Sequence, residues 1–210
     1  MHFGRRRRDL IPEPFYPNYN TFVRITGGSI RPISTSPEEG YRYADRARIE
    51  PLINEHTRAI LMTNPGNPTG VVLSPEEVRL MAEIAREHDL FLIGDEVYRE
   101  FVYGGEKLTT LLELEDMAEY VVVIDSVSKR FSACGARIGA LISRNQELMA
   151  NAMKICQGPA VCCNAGSGGC HGTLRCGFRV FRRCAGGVQK AQGHLYGGPL
   201  QNSRCDVRMS

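Results

Sequence analysis

Short apolar runs punctuated by one strongly capped helix are what most narrows the folds open to this chain. Arg58-Ala59-Ile60-Leu61-Met62-Thr63 is an apolar run suited to a buried parallel strand. Ser74-Pro75-Glu76-Glu77 then opens a helix: Ser is the expected N-cap, Pro suits the first helical position, and Glu77 completes a capping box. Val78, Met81, Ala82, Ile84 and Ala85 recur at helical spacing until His88-Asp89. Leu90 to Ile93 reads as the next strand, Tyr120 to Asp125 as another and Ala136 to Ser143 as a further one, followed by a helix from Asn145 to about Cys156. Strands alternating with helices imply an α/β fold, a mainly parallel sheet flanked by helices with its functional groups at the strand ends.

At 210 residues the chain can form one sizeable domain with a fragment of a second. A net charge of +3 is mild and gives no reason to expect nucleic acid as a partner. No apolar run is long enough to span a bilayer, so no membrane partner is expected. Residues 1–9 begin Met1-His2-Phe3-Gly4 and continue into four arginines, without the apolar stretch of a secretory signal. They are expected to be a non-native or disordered N-terminus on a cytoplasmic protein.

Composition changes along the chain. Seven of the eight cysteines lie beyond Ile155, half of the 22 glycines lie beyond Cys156, and Asp206 is the sole acidic residue after Glu147. Residues 158–210 therefore form an anomalous Cys/Gly-rich tail with no sustained period of either kind. Structural zinc sites use paired Cys-x-x-Cys knuckles, which Cys162, Cys163, Cys170, His171 and Cys176 do not make. A disulfide framework does not suit an α/β body whose only cysteine is Cys134. Codons permitted for residues 164–187, read one base later, can encode an acidic peptide with helical apolar spacing and no cysteine. The tail is accordingly expected to be frameshifted and disordered.

Four segments carry polar or aromatic groups that could do chemistry. Asp125-Ser126-Val127-Ser128-Lys129 follows an apolar strand, with Arg137 eight residues after the lysine. A Lys there suits an aldehyde cofactor that carries a phosphate. The amine would form a Schiff base, and Ser126 and Arg137 would take the phosphate. A plain surface lysine at a strand end is the competing account. Asn64-Pro65-Gly66-Asn67-Pro68-Thr69-Gly70 is a rigid turn that can hold an amide toward a ligand, or is simply a tight strand-to-helix connection. Asp95, in Gly94-Asp95-Glu96-Val97-Tyr98, could pair with a protonated pyridine nitrogen, cap a helix or bind magnesium. Glu13-Pro14-Phe15-Tyr16-Pro17-Asn18-Tyr19 offers an aromatic ring for stacking or for the core.

Taken together, the motifs NPGNPTG, GDEVY and SVSK-x7-R-x-G, in this order over residues 10–157, resemble the class I/II aminotransferases, pyridoxal-phosphate enzymes of fold type I to which aspartate aminotransferase belongs. The resemblance implies the large-domain portion of that fold, with pyridoxal 5'-phosphate as cofactor and amino acids and 2-oxo acids as substrates. Lys129 would hold the cofactor and shuttle the α-proton, and Asp95 would pair with the pyridine nitrogen. Asn67 and Tyr98 would bond the phenolic oxygen, with Asn67 also near the substrate carboxylate. Ser126 and Arg137 would bind the phosphate and Tyr16 would stack on the ring. A homodimer is implied for the intact parent, and no metal. The family's Gly/Ser/Thr phosphate loop and its carboxylate-gripping Arg have no counterpart in this sequence, so a partial domain with little activity of its own is expected. Alternatives are a pyridoxal-phosphate carbon–sulfur lyase or decarboxylase, and a non-catalytic fragment or pseudogene product.

Overall fold

The computed structural model describes residues 7–103 and 107–157. These residues build a six-stranded sheet. Its strands are β1 (Arg8–Pro12), β2 (Ser29–Ile33), β3 (Thr57–Thr63), β4 (Phe91–Asp95), β5 (Val121–Ser126) and β6 (Gly139–Ile142). They lie in the order β2-β1-β3-β4-β5-β6. The first five run parallel, and β6 closes the edge antiparallel to β5. The helices are α1 (Asn18–Ile25), α2 (Arg46–Ile49), α3 (Pro75–Glu87), α4 (Val127–Arg130) and α5 (Gln146–Gln157). The α/β architecture with a mainly parallel sheet is thus as the alternation of motifs implied.

Alternation along the strands sorts the core into two layers. Leu10, Ile60, Met62 and Leu92 pack on one face against α3, which buries Val78, Met81, Ala82, Ile84 and Ala85. Ile11 and Leu61 point to the other face, where they meet Tyr19 and Val23 of α1. α3 starts at a complete capping box: the Ser74 hydroxyl accepts from the Glu77 N–H, and the Glu77 carboxylate accepts from the Ser74 N–H.

Several boundaries differ from those read in the sequence. Arg8 and Asp9, expected to belong to a non-native or disordered N-terminus, instead open β1, because the Arg8 N–H reaches the His56 carbonyl and both residues pair in register with β2. β4 starts at Phe91 because the Leu90 N–H closes the end of α3 on the Ala85 carbonyl. The last strand is shorter than Ala136 to Ser143. Cys134–Ala136 forms a 3-10 turn and Arg137 is left-handed (φ 52°), so pairing with β5 begins only at Gly139. β1, β2 and α1 were not anticipated. Residues 1–6 and the Cys/Gly-rich segment 158–210, with the expectations attached to them, lie outside the described residues.

Two buried polar groups illustrate opposite outcomes. Glu96 is 1% exposed, yet its carboxylate accepts from the Thr110 hydroxyl and from the Leu111 N–H at 2.9 Å, tying the loop before β5 to the end of β4. Burial raises its pKa above the ordinary 4.5, although those hydrogen bonds pull the other way. The folded chain therefore holds the Glu96 proton more tightly than the unfolded one. This contribution is complete below pH 4.5 and is lost as pH rises through the folded-state value. In urea denaturation, the stability gap between wild type and Glu96→Gln should be widest below pH 4.5 and shrink toward neutrality. A gap that grows with pH would mean that the folded protein prefers the ionised carboxylate. The Tyr43 hydroxyl, by contrast, is buried without a hydrogen-bond partner. Tyr43→Phe removes an unsatisfied group and should leave the unfolding free energy unchanged or raise it by up to about 1–2 kcal/mol in urea denaturation; a clear loss would reveal a partner for that hydroxyl.

Candidate active site

The carboxyl ends of β3, β4 and β5 open on one cavity of about 370 Å³. At the end of β3 the turn from Asn64 to Gly70 is held by its own backbone. The Gly66 N–H donates to the Val71 carbonyl at 2.7 Å, and the Gly70 N–H donates to the Gly66 carbonyl at 2.9 Å. Gly70 is left-handed (φ 74°), a conformation that glycine adopts without strain. Asn64 is buried beneath: its side-chain oxygen accepts from the Leu73 N–H at 3.0 Å, and its backbone N–H donates to the Asp95 carbonyl at 3.1 Å. The turn thereby presents Asn67 to the cavity, with its Nδ2 3.5 Å from the Tyr98 hydroxyl, a long contact.

At the end of β4 the Asp95 carboxylate is engaged at both oxygens. Oδ1 accepts from the Val97 N–H at 3.2 Å and Oδ2 from the Tyr19 hydroxyl at 2.5 Å. Tyr98 packs edge-to-face on Phe101, with ring centroids 5.8 Å apart. Beyond β5, Ser126 is the N-cap of α4, accepting from the Ser128 N–H at 3.1 Å. The same hydroxyl also bonds the Ile138 carbonyl at 3.1 Å and the Ser128 hydroxyl at 2.9 Å. Its single hydrogen serves one acceptor at a time, so binding a phosphate would require redirecting it. Lys129, on α4, lies with its Nζ 5.7 Å from the Tyr98 ring centroid. Arg137 lines the same cavity and donates to the Cys134 carbonyl at 3.3 Å.

All seven residues singled out in the sequence, Tyr16, Asn67, Asp95, Tyr98, Ser126, Lys129 and Arg137, line this cavity. Asn67 and Tyr98 are joined directly; Lys129 and Arg137 have no carboxylate partner among the described residues. The acidic groups near them are committed elsewhere. Asp125 pairs with Arg130 at 2.5 Å and lies 3.9 Å from Arg99, while Glu100 lies 3.5 Å from Arg130. The sequence reading missed Tyr19 and Thr63, which also line the cavity. Tyr19 falls three residues after Tyr16 in the same aromatic segment, which was the available signal.

These features suit a group with an anionic end, a basic ring nitrogen and an aldehyde. Arg137 can meet negative charge, the Asp95 carboxylate can meet the nitrogen, and the exposed Lys129 offers a primary amine for condensation. The volume is of the order of small-molecule sites, roughly 300–1,000 Å³.

A mainly parallel sheet with a lysine, an aspartate and an Asn-Pro turn gathered at one edge is the arrangement of an α/β enzyme. The chain belongs to the aminotransferase class I and II family, whose model matches residues 3–173. It is 39% identical over 130 residues to the putative aminotransferase YugH of Bacillus subtilis, a match covering 62% of this chain and 33% of that protein. It is 36% identical over 132 residues to an aspartate aminotransferase of Bacillus subtilis, covering 62% of this chain and 33% of the relative. A double mutant of Thermus thermophilus aspartate aminotransferase superposes with a TM-score of 0.77 at 26% identity, over 90% of this chain and 48% of that structure. The chain spans about a third of the length of the curated relatives it matches.

Because Ser126 caps α4 beside Lys129, Ser126→Ala should lower stability by about 1 kcal/mol in urea denaturation, and Ser126→Asn should recover most of that loss. Equal losses in both variants would show that the cap contributes nothing.

Proposed function

We propose that the cavity binds pyridoxal 5'-phosphate and that the protein transfers an amino group between an amino acid and a 2-oxo acid. The observation that carries this reading is the convergence on one cavity of Lys129, Asp95, Asn67 and Tyr98, from segments that follow three strands, with Arg137 from the turn before β6. Membership in the aminotransferase family supports it. Residues 10–157 act here as part of the cofactor-binding domain.

When bound, the cofactor supplies an aldehyde that condenses with amines and a ring that takes up negative charge. Lys129 would provide the amine that holds it and, when free, the base that moves the proton at the substrate α-carbon. Asp95 would favour a protonated ring nitrogen by offering a negative charge. Asn67 and Tyr98 would donate to the phenolic oxygen and favour its ionised form. Ser126 and Arg137 would take the phosphate, Arg137 through its forked donors. Tyr16, 38% exposed at the rim, would supply an aromatic surface for the ring.

The full chain titrated with pyridoxal phosphate should gain an absorption band that is lost in Lys129→Ala. Borohydride should then fix the cofactor to the peptide that carries Lys129. In the full-length protein, Lys129→Ala should reduce 2-oxo-acid-dependent transfer by about 10²–10⁴-fold. Labelling of another lysine, or release of pyruvate and ammonia in place of transfer, would overturn the assignment.

A further inference from the structure

We propose that Tyr19 is a positioning residue for Asp95, holding the β4 carboxylate at a fixed angle to the cavity through a one-way hydrogen-bond chain that begins at Thr63. The inference rests on the proposed function, in which Asp95 meets a ring nitrogen. Tyr19 lies 76 positions before Asp95 in the chain, and α1 brings its hydroxyl 2.5 Å from Oδ2. A carboxylate only accepts, so the phenol must donate; its oxygen is then free to accept, and the Thr63 hydroxyl at 3.0 Å must donate to it. The direction of the chain, Thr63 to Tyr19 to Asp95, is set by that count of hydrogens.

With Val97 bonded to Oδ1 and Tyr19 to Oδ2, rotation of the carboxylate would break one bond or the other. One lone pair remains on each oxygen for a ligand in the cavity. The donor is itself held firmly. Tyr19 is 7% exposed, packs with Ile11 and Val23, and meets Tyr16 edge-to-face at 5.7 Å. Burial first, and then the Asp95 charge, push its ionisation well above the ordinary phenol value, so the donor keeps its hydrogen throughout the physiological range. A Tyr needed only to fill the core would have no use for the hydroxyl, and Phe would serve equally well.

The test combines Tyr19→Phe, Asp95→Asn and the double variant with two probes, pyridoxal phosphate and its analogue with carbon in place of the ring nitrogen. Tyr19→Phe should weaken pyridoxal phosphate binding about five- to tenfold, leave binding of the carbon analogue unchanged, and add no loss in the Asp95→Asn background. Equal losses for both probes, or an undiminished loss beside Asp95→Asn, would overturn the proposal and leave Tyr19 a packing residue. A further readout needs no cofactor. The NMR signal of the Tyr19 ζ-carbon, assigned with Tyr19→Phe, should shift between wild type and Asp95→Asn; an unchanged signal overturns the contact. A wild-type chain that binds neither probe, while its Tyr19 signal still responds to Asp95→Asn, would sink the cofactor reading and uphold the Tyr19–Asp95 bond.

Discussion

The parallel register of β3, β4 and β5 is the constraint on which the site depends. Thr63 pairs with Asp95, and Asp95 with Ile124, so the three strands finish nearly level. The Asn64–Gly70 turn, the Glu96–Tyr98 segment and the Asp125–Lys129 segment therefore all leave the sheet at one edge. A slip of one residue in β4 would turn Asp95 to the opposite face and exchange it with Glu96 or Gly94. The separation of roles between Asp95 and Glu96 reflects that periodicity. One carboxylate lines the cavity, while its neighbour is buried under Thr110 and Leu111.

A floor of polar groups keeps this edge in place. Asn64 links β3 to β4 through the Asp95 carbonyl and bonds the Leu73 N–H on the way to α3. Glu96 holds the 110–111 loop, and Asp125 sits between Arg99 and Arg130. Net stabilisation from such groups is small once desolvation is counted, but removing one partner strands the other in a dry environment. Their effect is therefore specificity of placement. Asp125 is committed to Arg130 and Arg99, and among the described residues Lys129 and Arg137 line the cavity without a carboxylate partner.

How far the sequence was legible depends on the range of the interactions involved. α3 could be read closely because Ser74, Pro75 and Glu77 act within one turn, and Val78 to Ala85 repeat at a local period. β3 was equally plain, since a run of apolar residues needs no partner to be recognised. β6 was read too long because Ala136 to Ile138 alternate well enough, while the left-handed Arg137 breaks the strand for conformational reasons that composition does not encode. α1 escaped notice because it is only eight residues long and leaves Phe22 and Ile25 exposed, blurring its apolar stripe. The candidate site was legible as motifs, each residue lying within a few positions of a strand end. Tyr19 was not, since its bond to Asp95 exists only after α1 packs on the sheet.

That asymmetry says something about how the cavity is constructed. Asn67, Asp95, Tyr98, Ser126 and Lys129 lie at or just beyond the ends of β3, β4 and β5, and Arg137 in the turn before β6, so their placement is set by strand register and short turns. Tyr16 arrives from the connection between β1 and α1, and Tyr19 from α1, across the sheet face that Ile11, Leu61 and Val23 fill. Packing on that face therefore acts on the cavity directly, because any shift of α1 moves the hydroxyl that meets Asp95. A hydrogen bond of 2.5 Å tolerates little displacement, and a change of even a few tenths of an ångström in the apolar layer would be felt at the carboxylate. In this arrangement the small cluster around Ile11 and Val23 is part of the site's geometry as well as its support.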